Sequence, residues 1–408
     1  MLRPPSPRSL FPLAAVLVVA LTGCAASPPS ASVPATPEPA GDTHGHIEGA
    51  AELAEPALGL TSIDAEGRVS HLDLLEETTA DLGTVRAPVA MHSDGRYLFA
   101  ADDTGVSIVD SGVWTWDHVD HFHYYRAEAR ILGHVAGEGV AVVATSNSST
   151  TGGTGLFFPG SGDAVLLDTE ALSNGEIVET FRLPGAPGAG LVVPAGSFAA
   201  VAAADEVTVH TADGSAVGEP VTCVEPAGTI TTRVGAIIGC RDGALLVHID
   251  DESPVVERIP YPEGATAPRA TSFANREGRP TVAAVAGDEG VWLLDTRERA
   301  WTLLPTPEPV VQATAVDDRD ANVLALTVDG RVLVLDGDTG AERAASVPLV
   351  GASLAAGQPV SLIADQQRAY LNGPAEDRLW ELDFADDARI ARVFTPALTP
   401  VFVAETGR

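Results

Sequence analysis

The sequence contains no lysine at all. Every fixed positive side chain is an arginine, and 56 acidic residues face 24 basic ones, for a net charge of -32. Such a chain repels phosphate backbones and anionic headgroups. Nucleic acid is therefore excluded as a partner, and contact with a membrane cannot come from basic residues. Long apolar runs are also scarce. Residues 10–21 form one, too short to span a bilayer, and nothing downstream is long enough for a transmembrane helix. Extended helical periodicity is missing. So are a nucleophile elbow, a Gly-rich phosphate loop and a His-Glu-x-x-His helix.

What the N-terminus does have is an export signal. Arg3 and Arg8 flank the apolar run, which ends in Leu21-Thr22-Gly23-Cys24. This ending resembles a bacterial lipobox, which implies cleavage before Cys24 and a lipid on its sulfur. Residues 1–23 are then a lipoprotein signal peptide. The mature chain is expected outside the cytoplasm, held to the outer face of the cell membrane by lipid alone. Residues 24–53 are rich in Pro, Ala and Ser, with no apolar period, and read as a disordered tether.

Residues 54–408 read as one folded domain. A β-rich run ending in a polar residue recurs along it, often as Asp. Examples are Gly105-Val106-Ser107-Ile108-Val109-Asp110, Gly290-Val291-Trp292-Leu293-Leu294-Asp295 and Arg331-Val332-Leu333-Val334-Leu335-Asp336. The spacing is about forty residues, the period of a four-stranded blade. Short strands, β-branched residues and Gly turns predict an all-β fold. Radial repetition of small sheets leaves only short edges, so the expectation is a β-propeller, with eight blades favoured and seven as the fallback. The run Pro400-Val401-Phe402-Val403-Ala404 has no set after it, and is expected to close the ring by completing the first blade.

Cys223 and Cys240 remain after Cys24. In an oxidising compartment this spacing predicts a disulfide, contributing on the order of 3 kcal/mol. One interval breaks the period. Between Asp110 and Asp168 the chain carries Trp116-Asp117-His118-Val119-Asp120-His121-Phe122-His123-Tyr124-Tyr125-Arg126. Imidazole nitrogens suit zinc, with carboxylates as acceptable partners. His118, His121 and His123 are the candidate ligands, and Asp117 and Asp120 further ligands or partners for imidazole N–H groups. An extended segment puts His121 and His123 on one face, and a helical one does so for His118 and His121. A further ligand from another blade is needed, and His134 is the better candidate beside His92. His44 and His46, in the tether, form a second cluster able to pick up or pass on a metal. His71, His210 and His248 lie in central runs, where a structural role is expected.

With these motifs the sequence resembles the AztD-like zinc metallochaperones, exported propellers associated with zinc-importing ABC transporters. The residues that carry the resemblance are 116–127, His44-Gly45-His46-Ile47-Glu48-Gly49 and Arg389-Ile390-Ala391-Arg392. It implies storage of zinc and its transfer to a solute-binding protein or transporter component, with no catalysis. The chain departs from the family at residues 183–190 and 224–229, where further histidines are expected and none is present. A propeller that binds protein or glycan without metal is the alternative. A hydrolase or quinone-dependent oxidoreductase ranks third, because propellers serve those activities as well.

Overall fold

The structure, a computed structural model, describes residues 47–117 and 121–408. It is built almost wholly of antiparallel strands, arranged as a β-propeller. Eight sheets of blade form follow one another along the described chain, and a ninth, smaller sheet stands apart from that series. Seven of the eight have four strands, and the sixth has three. The isolated bridge Ala274–Ala283 adds a partial fourth at its edge.

The middle strands explain the near-continuous apolar runs of the sequence. Gly153–Phe158 and Asn322–Thr327 are buried at every position, because each blade packs face to face against its neighbours on both sides. The apolar clusters accordingly bridge consecutive blades. One joins Tyr97, Phe99 and Ile108 of the second blade to Leu156, Phe158 and Val165 of the third. Another joins Leu324 and Val334 of the seventh to Leu371 and Trp380 of the eighth. Contact is tight enough that a Cβ on Gly155 would lie 1.9 Å from the Val192 carbonyl oxygen of the next blade. Only glycine fits there.

The first blade takes its strands from both ends of the described chain. Phe402–Thr406 pairs antiparallel with Gly59–Ile63, from Ile63 opposite Phe402 to Gly59 opposite Thr406. The Thr61 and Thr406 hydroxyls meet at 3.0 Å, and Val403, Ala404, Glu405 and Thr406 are buried. The C-terminal run thus supplies the strand that the first repeat lacked.

The second blade carries the insertion. Its third strand, Gly105–Asp110, does not turn directly into its fourth, Arg130–Ala136. Between them the chain makes a hairpin of Val113–Asp117 and Phe122–Arg126, and Ala51–Leu53 adds to the hairpin's edge, giving the ninth sheet. The segment read as tether therefore ends in a strand. Immediately before it, Ala50 N–H donates to the Ile47 carbonyl at 3.0 Å, in a turn that has Gly49 at φ +87°.

Candidate metal centre

Aromatic and β-branched residues favour a strand in Val113–Asp117, and Phe122–Arg126 answers it with two tyrosines. In this pairing Trp114 lies opposite Tyr125, Trp116 opposite His123, and Asp117 opposite Phe122. Alternation then sorts the side chains by face. Trp114, Trp116, His123 and Tyr125 share one face, joined by Glu52 through its pairing with Tyr125. Thr115, Asp117, Phe122, Tyr124 and Arg126 share the other.

The hairpin is fixed at its base. Asp110 accepts two hydrogen bonds from the buried Arg96, at 2.9 and 2.8 Å, and the Arg96 guanidinium lies 4.0 Å from the Trp114 ring centroid. Trp114 in turn stacks on Tyr125 at 5.4 Å. On the opposite face the Thr115 hydroxyl donates to the Gly407 carbonyl at 2.8 Å, and Arg126 donates to Asp73 at 2.9 Å. Burial, with a smaller contribution from the Glu52 charge, pushes the Tyr125 phenol up from its ordinary value. That phenol stays neutral beside the histidines.

The histidines lie towards the exposed end of this aromatic layer. The Nε2 atoms of His121 and His123 are 2.9 Å apart, with ring centroids at 4.7 Å and the rings edge to face. His123 Nδ1 is 2.7 Å from Glu52 Oε1. A carboxylate can only accept, so His123 donates from Nδ1. Neutral His123 then has its lone pair on Nε2 and accepts the proton that His121 Nε2 carries. The contact between the two rings is therefore a proton held between two nitrogen lone pairs. A zinc ion would be held by the Nε2 atoms of His121 and His123, both as neutral imidazoles once the His121 proton moves to its own Nδ1. Glu52 already stands where the second shell of a zinc-bound histidine belongs.

The other sequence-derived candidates fall elsewhere. Asp117 is exposed and, by register, on the face away from His123. His134 lies within the second blade, opposite Ser107. Its Nδ1 is 3.3 Å from the Ser107 hydroxyl and its Nε2 3.3 Å from the Thr104 carbonyl, and among the described residues it makes no hydrogen bond to the hairpin. His118, Asp120, His44, His46 and Cys24 lie outside the described residues. Among the described residues no three His, Cys, Asp or Glu side chains converge as a metal set. The remaining histidines serve the blades. His71 bonds Thr61, His92 bonds Thr145, His210 bonds the Gly214 carbonyl and His248 bonds Glu257. Cys223 and Cys240 form a disulfide, both fully buried, with Cα atoms 5.2 Å apart.

Glu52 is the residue that sequence reasoning missed. Ala51-Glu52-Leu53 has no β-branched residue and follows a Pro- and Ala-rich stretch. Its partner strand is about seventy positions away, so only the pairing itself reveals it.

No family model and no curated protein matches the chain. Solved structures do. A crystal structure of Citrobacter koseri AztD is similar with a TM-score of 0.75 and 20% identity, over 87% of this chain and 99% of that one. The apo form of the same protein gives 0.74 and 18%, over 86% and 98%. The dihydro-heme d1 dehydrogenase NirN, in complex with DHE, gives 0.54 and 18%, over 87% of this chain and 76% of that one. The dehydrogenase shares only the scaffold, which by itself carries no chemistry. Over nearly the whole of the described chain, the protein has the β-propeller fold seen in the AztD structures.

Proposed function

We propose that the protein is an extracytoplasmic, non-catalytic zinc-binding metallochaperone. It stores zinc and passes it to a solute-binding protein of a zinc-importing ABC transporter. One observation carries this reading: His121 and His123 present their Nε2 atoms to each other at 2.9 Å, with Glu52 behind His123. The fold shared with the AztD structures supports it.

Two imidazoles give an exposed, exchangeable grip rather than a closed structural site. Further donors come from the same neighbourhood in sequence. In sequence, His118 and Asp120 lie between Asp117 and His121. His44 and His46 precede the turn at residues 47–50, which leads straight into the strand beside His123. They act as a transfer arm. By register Asp117 lies on the opposite face, and His134 keeps its place in the second blade. Cys24 carries the lipid that holds the protein at the outer face of the membrane. Incorporation of a labelled fatty acid, abolished by Cys24→Ala, tests that part.

The metal content of the purified mature protein tests the function. The expected result is bound zinc that His121→Ala plus His123→Ala removes. Equal zinc in both proteins, or none in the unmodified one, overturns the reading. The second reading, a propeller that binds protein or glycan without metal, is favoured by one observation. Residues 183–190 and 224–229, where the resemblance leads one to expect further histidines, hold none. Partner capture that is indifferent to chelator would support it.

A further inference from the structure

The strand Ala51–Leu53 has little to hold it. It is three residues long, with Ala51 and Glu52 exposed and Leu53 half-buried, so apolar burial contributes little to its docking. Backbone pairing runs from Ala51 opposite Arg126 to Leu53 opposite Tyr124, and an isolated ladder this short is marginal in water. Its one side-chain hydrogen bond to the hairpin among the described residues is Glu52 to His123. The side chains are 56% and 24% exposed, so this bond is open to solvent and weak.

We infer that Glu52 is a positioning residue that couples metal binding at His121 and His123 to docking of the strand Ala51–Leu53. This rests on the metal reading above and extends it to regulation of the same site. The chemistry is that of one imidazole with two different neighbours. Glu52 holds a proton on His123 Nδ1, which leaves Nε2 with the lone pair that a cation needs. A divalent cation on Nε2 draws density out of the ring and makes Nδ1–H a stronger donor, so the bond to Glu52 tightens. As the cation enters, the proton on His121 Nε2 shifts to Nδ1 of the same ring, so both imidazoles bind in their neutral form. Metal and strand therefore stabilise each other's binding, and the coupling must be reciprocal. Whatever pulls the segment before Ala51 away from the hairpin then loosens the metal. Loading the metal fastens that segment down.

The experiment uses the full mature chain, its Glu52→Ala and Glu52→Gln variants, and zinc alone as the probe. Chelator competition gives the affinity, and backbone hydrogen exchange at residues 51–53 and 124–126 is followed with and without zinc. The expected result is zinc affinity lowered 10- to 100-fold in Glu52→Ala, the range for loss of such a supporting group. Glu52→Gln, which keeps an oxygen acceptor for Nδ1–H, should recover part of the loss. Zinc should slow exchange at 51–53 in the unmodified protein and leave it unchanged in Glu52→Ala. Equal affinity in Glu52→Ala, or exchange at 51–53 that zinc does not alter, overturns the coupling while the metal site stands. An unmodified protein that takes up no zinc overturns both.

Discussion

The Arg96 guanidinium lies 4.0 Å from the centroid of the Trp114 ring, and joins the hairpin that bears the histidines to the second blade. Asp110 makes the arrangement possible, because its bidentate bond neutralises a charge that is otherwise buried. Arg130, at the hairpin's other end, also reaches Asp110, at 3.5 Å. Removing one partner of such a pair leaves an uncompensated charge in the interior. Asp110→Ala is expected to lower stability by about 3–5 kcal/mol in urea unfolding. Trp114→Ala is expected to cost about 3–5 kcal/mol, and to weaken zinc binding as well, because it loosens the base of the hairpin.

A pH dependence of stability follows from the interior carboxyls. Burial first, then the Asp365 and Glu277 charges, push Glu405 up to about 8 against the pull of Arg408. Burial pushes Asp94 up to about 6. A carboxyl raised in the folded state binds a proton that the unfolded chain has already released. The stability it contributes is full below about pH 4.5 and is lost as pH rises through about 8. His92 acts with the opposite sign. Burial lowers it to about 4, so its contribution is present above about pH 6.5 and is lost on descending towards 4. Thermal scans should therefore show the highest Tm in the mildly acidic range and a decline towards pH 9. Glu405→Gln should flatten the alkaline side. An unchanged decline in that variant would assign it to other groups.

Pairing of Phe402–Thr406 with Gly59–Ile63 makes the C-terminus part of the first blade. Deleting residues 400–408 exposes a strand edge and uncovers Leu60 and Ile63, which are fully buried. The expected loss is at least about 10 °C in Tm, since each kcal/mol moves Tm by a few degrees in a domain of this size. A loose tail would leave Tm unchanged.

The disulfide lies wholly in the interior, so reductant should act slowly on the folded protein. Cys223→Ala plus Cys240→Ala should lower stability by about 3 kcal/mol, chiefly by freeing the unfolded chain. Equilibrium unfolding of the variant against the oxidised protein measures it.

The sequence disclosed the propeller because each blade repeats the same local pattern. The run Val332–Asp336, buried but for its final aspartate, and its counterparts reveal themselves without knowledge of their partners. The same reasoning singled out the out-of-step segment, in which His121 and His123 come together at its edge. It could not find Glu52, whose role comes from an edge pairing with a strand far along the chain. Nor could it show that Asp117 faces away from His123, because that depends on hairpin register, and a shift of one residue exchanges the faces. His134 looked available on grounds of proximity in sequence. The register opposite Ser107 instead gives both its nitrogens partners in the second blade.

Zinc titration of the mature protein beside its His121→Ala, His123→Ala double variant, read by chelator competition, tests the central claim most directly. The account predicts that the unmodified protein holds zinc, that mild acid releases it as protons reclaim the imidazoles, and that the double variant loses the site while keeping its circular dichroism. Zinc held equally by the two proteins would contradict it.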